Sequence, residues 1–412
     1  MRFVYTFFIY CFGLFLRFAA LFNGKARQWV DGRRGLFENL GKELNQAAGE
    51  KKPVIWFHVS SLGEFEQGRP VLEAVRKRWP EKRIVLTFFS PSGYEVRKKY
   101  DQADFVGYLP LDTPANARRF MEIVRPEMVF FVKYDFWFNF LKTIHEDHIP
   151  LYFISALFRK NQYFFKWYGG WFRRYLGFVT HFFVQNTESE NLLRSIGIMQ
   201  VTLAGDTRFD RVFSIASQPN EMPLVDKFCA GKPVFIAGSS WEPDEAVFLP
   251  MLQHRVLKLK SIIAPHDTSP GRITSIREHL NMPAICYSEL DDDNADQSDV
   301  LIIDSVGILS RLYRYATVAF IGGGFGSGIH NIQEPVTFGV PVLFGPNFHK
   351  FREARDLIES GGAFCINSAE DLEKKVMEIT GNPEELERLS AICRNYVEFN
   401  RGATGKIMKF LG

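Results

Sequence analysis

From Pro53 onward, short apolar runs alternate with longer stretches whose apolar residues recur at helical spacing. The runs predict strands at 54–58, 83–89, 105–109, 127–132, 150–155, 181–185 and 200–203, with helices between them. They are rich in Val, Ile and Phe and show no strict polar alternation, which predicts parallel strands covered on both faces. Thr113 with Pro114 opens one helix, and Thr187 with Glu190 has the form of a capping box. The pattern pauses at 214–233, "SIASQPNEMPLVDKFCAGKP", whose three prolines suggest a connection. It resumes with strands at 233–237, 260–264, 284–287, 300–303, 317–321 and 341–344. Two βα series in tandem predict an α/β chain of two Rossmann-like domains with a cleft between them, and ligands at the carboxyl ends of strands. The expected parts are 1–35, an anchor; 36–213, an N-terminal domain; 214–232, a linker; and 233–412, a C-terminal domain. The last helix is expected to return to the N-terminal domain.

Ahead of this pattern lies 3–16, "FVYTFFIYCFGLFL", without a charge. As a helix it would be about 21 Å long, short of the ~30 Å hydrocarbon core of a bilayer. Basic residues follow it, which predicts an inserted or interfacial membrane helix; a signal peptide and a buried helix are the alternatives. With 412 residues, 46% hydrophobic and 24% charged, the chain is long enough for two ordered domains. The net charge of +3 is too small to suggest nucleic-acid binding, but its distribution is uneven. Residues 1–35 hold six Lys or Arg against Asp31 alone. The segment 157–176, "LFRKNQYFFKWYGGWFRRYL", sets Arg159, Lys160, Lys166, Arg173 and Arg174 among nine aromatics. Basic and aromatic residues together suit a headgroup interface; an aromatic core helix with a solvated basic face is the plainer alternative. Five scattered cysteines without a C-x-x-C favour neither a disulfide framework nor a zinc site, and fit a reducing cytosol.

Candidate chemistry gathers at strand ends. "HVSSLGEFE" at 58–66 sets Ser61, Gly63 and Glu64 where a strand gives way to a helix. Ser61 and Glu64 have capping-box spacing, so Glu64 is either a cap partner or a carboxylate presented to a ligand. "FIGGGFGSGIHNIQEPVTFGVPVLFGP" at 320–346 follows a strand with Gly322, Gly323 and Gly324, then His330, Asn331 and Glu334. Glycines let backbone approach a phosphate, and a carboxylate near the following helix can accept both hydroxyls of a ribose. "AGSSWEPDEA" supplies Gly238, Ser239 and Ser240; "APHDTSPGR" supplies His266 and Arg272; "IDS" supplies Asp304 and Ser305. Each of these could face a nucleotide or form an ordinary cap or loop.

Together the motifs resemble the bacterial 3-deoxy-D-manno-octulosonic acid (Kdo) transferases of lipopolysaccharide assembly. The resemblance runs from the N-terminal helix to about residue 400 and includes H-x-x-S-x-G-E at 58–64, "YLPLDTPANARRFMEIVRPEMVFF" at 108–131 and "GDTRFDRV" at 205–212. It also includes "AGSS", "APH" and the glycine-rich stretch. It implies a two-domain glycosyltransferase of the GT-B type that moves Kdo from CMP-Kdo to a lipid A precursor. The transfer would invert the sugar and need neither cofactor nor bound metal. The resemblance makes Glu64 the catalytic base, with Gly63 keeping its turn open. CMP would lie in the C-terminal half, with Glu334 on its ribose and His266 and Arg272 by the leaving phosphate. It implies work at the cytoplasmic face of the bacterial inner membrane. One departure stands out. Where relatives often have E-x-E-x-W-P-N, this chain has Lys133-Tyr-Asp135-Phe-Trp137-Phe-Asn139. Lys133 could face a carboxylate or phosphate, and Asp135 keeps an acid or caps a helix. Gly324 stands where many relatives have serine. A UDP-sugar glycosyltransferase acting on a lipid, or a non-catalytic sugar-nucleotide sensor, remain the alternatives.

Overall fold

The computed structural model describes residues 1–46, 52–218, 221–254 and 258–412. Part of the expected connection, residues 219 and 220, lies outside them. The chain forms two compact units: Met1–Arg211 with Gly402–Gly412, and Val212–Arg401.

In the first unit the apolar runs become seven strands: β1 (Val54–Val59), β2 (Arg83–Phe88), β3 (Phe105–Tyr108), β4 (Pro126–Val132), β5 (Leu151–Ala156), β6 (His181–Val184) and β7 (Val201–Leu203). They pair in the order β3-β2-β1-β4-β5-β6-β7, every ladder parallel. β1, β2 and β5 are buried along their whole length, as continuous apolar runs require when helices cover both faces. The order reverses between β1 and β4, so their carboxyl ends open a crevice where a ligand can sit. Trp56 packs on Phe120, Phe131 and Phe140, and its indole donates to Thr87 Oγ1 at 2.8 Å.

The first 35 residues are part of this unit. The helix Arg2–Ala19 packs on it through Ile9 and Gly13, and a Cβ at Gly13 would lie 2.6 Å from Leu111. The buried Arg33 guanidinium donates to Leu109 O, Trp29 O and Phe89 O at 2.8, 3.0 and 2.9 Å and lies on the Trp29 ring. Arg2–Ala19 is also the one helix among the described residues long and apolar enough to cross a membrane.

The second unit repeats the plan with β8 (Val234–Ser240), β9 (Lys260–Pro265), β10 (Ile285–Cys286), β11 (Val300–Ile302), β12 (Val318–Ile321), β13 (Val342–Phe344) and β14 (Ala363–Cys365). Their order is β10-β11-β9-β8-β12-β13-β14, again parallel, with the reversal between β8 and β12. β14, the edge strand next to β13, was not expected from the sequence.

Three local expectations change. The stretch expected to connect the domains is largely helical: the helix Thr207–Ala216 runs into it and Pro223–Cys229 follows. The cap of the helix Thr187–Ser195 is Asn186, whose side chain accepts from Ser189 N at 2.8 Å, so Thr187 is already helical. Asp135 caps nothing, since the next helix starts at Phe138 behind Trp137. The last helix, Ala403–Phe410, belongs to the first unit, buries Ala403 and Ile407, and is held by Asp210. That carboxylate accepts from Gly402 N at 2.5 Å and Thr404 N at 2.6 Å, in the manner of a helix cap. Asp210→Ala is expected to lower stability by about 1–2 kcal/mol and to speed amide exchange first in 403–410. Denaturant melts with hydrogen exchange read both.

Candidate active site

At the carboxyl ends of β1 and β4 a chain of hydrogen bonds fixes two carboxylates. The fully buried His58 sits opposite Thr87 and Phe131 in the sheet. Trp137 Nε1 donates to His58 Nε2 at 3.0 Å, which leaves the ring proton on Nδ1, 2.9 Å from Thr87 Oγ1. Burial pushes the imidazole down to about 3, so it stays neutral, and its 3.5 Å approach to Asp135 is not an ion pair. Asp135 instead accepts from Ser60 Oγ, while Ser60 N donates to Glu64 Oε2 at 2.7 Å. Ser61 caps the helix Leu62–Arg78, with its Oγ 3.4 Å from Glu64 N. The capping box is therefore half formed: the serine faces the Glu64 amide, but the carboxylate takes the amide of Ser60 rather than that of Ser61.

Burial raises the pKa of Glu64, while the Ser60 amide and the Lys133 charge oppose the shift. Burial also raises Asp135, and the neighbouring Glu64 raises it further. Two carboxylates so close in a poor solvent do not ionise independently. Asp206, with a side chain only 12% exposed, shows the contrast. Arg208 chelates it at 2.6–3.2 Å, and the guanidinium outweighs burial and keeps it below the usual carboxylate range. Among the described residues no arginine clamps Glu64 in this way. Lys133 has a left-handed backbone, φ +69°, uncommon for a residue with a Cβ. Burial and the nearby Arg208 hold its ammonium below its usual range. Gly63 lies in the first helical turn, and a Cβ there would meet nothing within 4 Å. The glycine is not needed to open a turn; the space beside it is already free.

In the second unit only some of the expected donor residues gather at the ends of β8 and β12; His266 and His330 meet there, whereas Asp304 pairs with Ser288 and Asn331 with Glu334. A Cβ at Gly238 would lie 1.9 Å from the Tyr313 hydroxyl, and Ser239 turns the chain at φ +56°. Trp241, His266 and His330 stack, with centroids 4.4 and 4.7 Å apart, and Trp241 Nε1 donates to His330 Nε2 at 3.1 Å. Asn331 Nδ2 holds Glu334 Oε1 at 3.0 Å. Asp304 accepts from Ser288 N at 3.1 Å, and Ser305 Oγ is buried without a hydrogen-bond partner.

Two expectations are corrected here. The amides of Gly322 and Gly323 are already used, by Gly238 O at 2.9 Å and by the buried Asp244 at 2.7 Å. These glycines serve close packing, not a phosphate cradle: a Cβ at Gly322 would lie 2.2 Å from Ser239 O, and one at Gly324 2.4 Å from Gly345 N. Arg272 pairs with Glu245 and, at 3.3 Å, with Glu242, so its charge is balanced inside the protein rather than held out for a leaving phosphate.

The family model for 3-deoxy-D-manno-octulosonic-acid transferase (kdotransferase) matches residues 33–211, the part that carries the Glu64 cluster. The 3-deoxy-D-manno-octulosonic acid transferase of Haemophilus influenzae is 25% identical over 428 residues, covering 100% of this chain and 98% of its own. Over its whole length the chain is similar to these Kdo transferases. The corresponding enzyme of Aquifex aeolicus is 26% identical over 343 residues, 81% of this chain and 88% of its own. A solved glycosyltransferase from Rickettsia africae, 12% identical, superposes with a TM-score of 0.55 over 88% of this chain and 98% of its own. That likeness agrees with the two-unit GT-B fold.

The basic residues of 157–176 do not form one group. Arg159, Lys160 and Arg174 are exposed, whereas Arg173 folds back to donate to Lys166 O at 3.0 Å. The aromatics divide as well: Phe158, Phe164 and Tyr175 are core, while Trp167 is 92% exposed. Sequence reasoning missed the residues that orient the site, His58, Ser60, Trp137, Asp206, Arg208 and Asp244. All six lie inside the quoted motifs, but the residue type alone gave no signal of the role. Gly324→Ala is expected to destabilise the second unit by about 1–3 kcal/mol, because backbone rather than a movable side chain meets the new methyl. Thermal unfolding of the full chain measures it.

Proposed function

We propose that this chain is a Kdo transferase that moves Kdo from CMP-Kdo to a hydroxyl of a lipid A precursor, with inversion and without a metal ion. The observation that carries the reading is Glu64, buried at the reversal of the first sheet, held by one backbone amide and, among the described residues, unclamped by arginine. A carboxylate raised toward neutrality is suited to general-base work. Glu64 takes the proton of the attacking hydroxyl. A bond forms between that oxygen and the anomeric carbon as the bond to the CMP phosphate breaks, and its electron pair leaves with CMP. One displacement inverts the centre. In this reading the Trp241–His266–His330 stack of the second unit meets the donor phosphate, and Glu334, steered by Asn331, meets the ribose. Ser305 supplies a free hydroxyl nearby in sequence to Asp304. The exposed apolar face of Arg2–Ala19, with Arg159, Lys160 and Arg174, supports work at a membrane surface, in this reading the cytoplasmic face of the inner membrane.

Purified protein given lipid A precursor and CMP-Kdo is expected to yield a product heavier by one Kdo or more, read by mass spectrometry. Binding of CMP without any product would remove the acceptor assignment, and failure of both would remove the donor too. The charge of Lys133 lowers the Glu64 pKa, so Lys133→Met should raise it further. Because the base acts ionised, the acidic limb of the kcat/KM profile then moves to higher pH. A limb that stays in place or moves down would contradict this coupling.

A further inference from the structure

The N-terminal helix does more than present an apolar surface. Its inner side walls a groove of about 480 Å³ in the first unit, lined by Tyr5 and Ile9 from the helix, by Tyr168 and Phe172, and by Asp135 and Trp137. The last two belong to the catalytic cluster: Asp135 accepts from Ser60, whose amide holds Glu64, and Trp137 donates to His58. Polar contacts fix the wall in place. Tyr5 Oη donates to Asp112 Oδ2 at 2.6 Å, and Arg2 Nε donates to Asn139 Oδ1 at 3.3 Å. Asp112 is itself fully buried and accepts from the amides of Asn139 and Phe140 at 3.1 and 2.9 Å. On the outer side of the same helix Phe3, Phe7, Phe8 and Leu14 are exposed. A helix that only tethered the protein would need the outer face and not the bonded inner one.

We propose that this groove holds an acyl chain of the lipid acceptor, with the helix as one wall, so that Arg2–Ala19 selects the substrate as well as docking the protein. The inference rests on the lipid-acceptor reading above. The occupant follows from the lining and its position. The walls are mainly aromatic, the size is that of a small-ligand pocket, one side is built by the candidate membrane helix, and Asp135 and Trp137, which are bonded to the residues around Glu64, line another. A lipid whose hydroxyl must reach Glu64 can keep a chain out of water only if the path to the carboxylate is apolar.

The test uses the full chain in detergent with two acceptors, a lipid A precursor and its fully deacylated counterpart. Ile9→Trp narrows the groove and is expected to lower the ratio of kcat/KM for the acylated acceptor over the deacylated one by about tenfold. An unchanged ratio would overturn the proposal. Photolabelling of the unmodified protein gives a second reading that does not depend on how the variant folds. With a precursor carrying a diazirine in its acyl chain, adducts are expected at Tyr5, Ile9, Tyr168 or Phe172. Adducts confined to Phe3, Phe7 and Leu14 would overturn the groove. Groove adducts without any Kdo transfer would uphold it and count instead against the transfer reaction.

Discussion

The structure of the first unit turns on the cost of burying two carboxylates side by side. Glu64 and Asp135 both meet Ser60, one at its amide and the other at its hydroxyl, at the point where the sheet order reverses. A buried negative charge needs donors or a cation, and a second one beside it needs more. The protein supplies little of either to this pair, although it supplies a full guanidinium clamp to Asp206. The pair is therefore held away from the ionisation of ordinary surface acids, and one proton is readily taken up. This is the property a base needs when it must accept a proton from an alcohol and release it again. The neutral His58, locked by Trp137 and Thr87, gives this arrangement a rigid floor without adding charge.

The second unit solves a different problem by similar topology. Its strand ends approach so closely that Gly238, Gly322 and Gly324 have no room for a Cβ, and the buried Asp244 ties the glycine loop to the helix after β8. Close packing and acceptor bonds use the amides that a phosphate might have taken. What remains presented there is a stack of one indole and two imidazoles, together with an Asn-steered glutamate.

Much of the fold was legible because parallel strands buried on both faces are written as unbroken Val, Ile and Phe runs. Thirteen of the strands named above lie where those runs predict them; β14, an edge strand whose Phe364 and Cys365 are only half-buried, carries no such run. The motifs around Glu64 and Glu334 were legible as well, since glycines and small polar residues at strand ends leave a mark. Legibility ended where partners are distant in sequence. Ser60 meets Asp135 across 75 positions, and Asp244 meets Gly323 across 79. Arg272 looked like a phosphate ligand because Glu245, which neutralises it, lies 27 positions away. Lys133 stands out in the sequence only as a departure from its relatives; its left-handed backbone needs coordinates to be seen.

The most direct test of the account is Glu64→Gln, which keeps the size and removes the base. Turnover of CMP-Kdo with the lipid acceptor should fall by roughly 10²–10⁴-fold or more. Calorimetric binding of CMP should stay near that of the unmodified protein, because no donor residue has changed. Turnover close to that of the unmodified protein would contradict the assignment of Glu64 and, with it, the role given to the buried carboxylate pair.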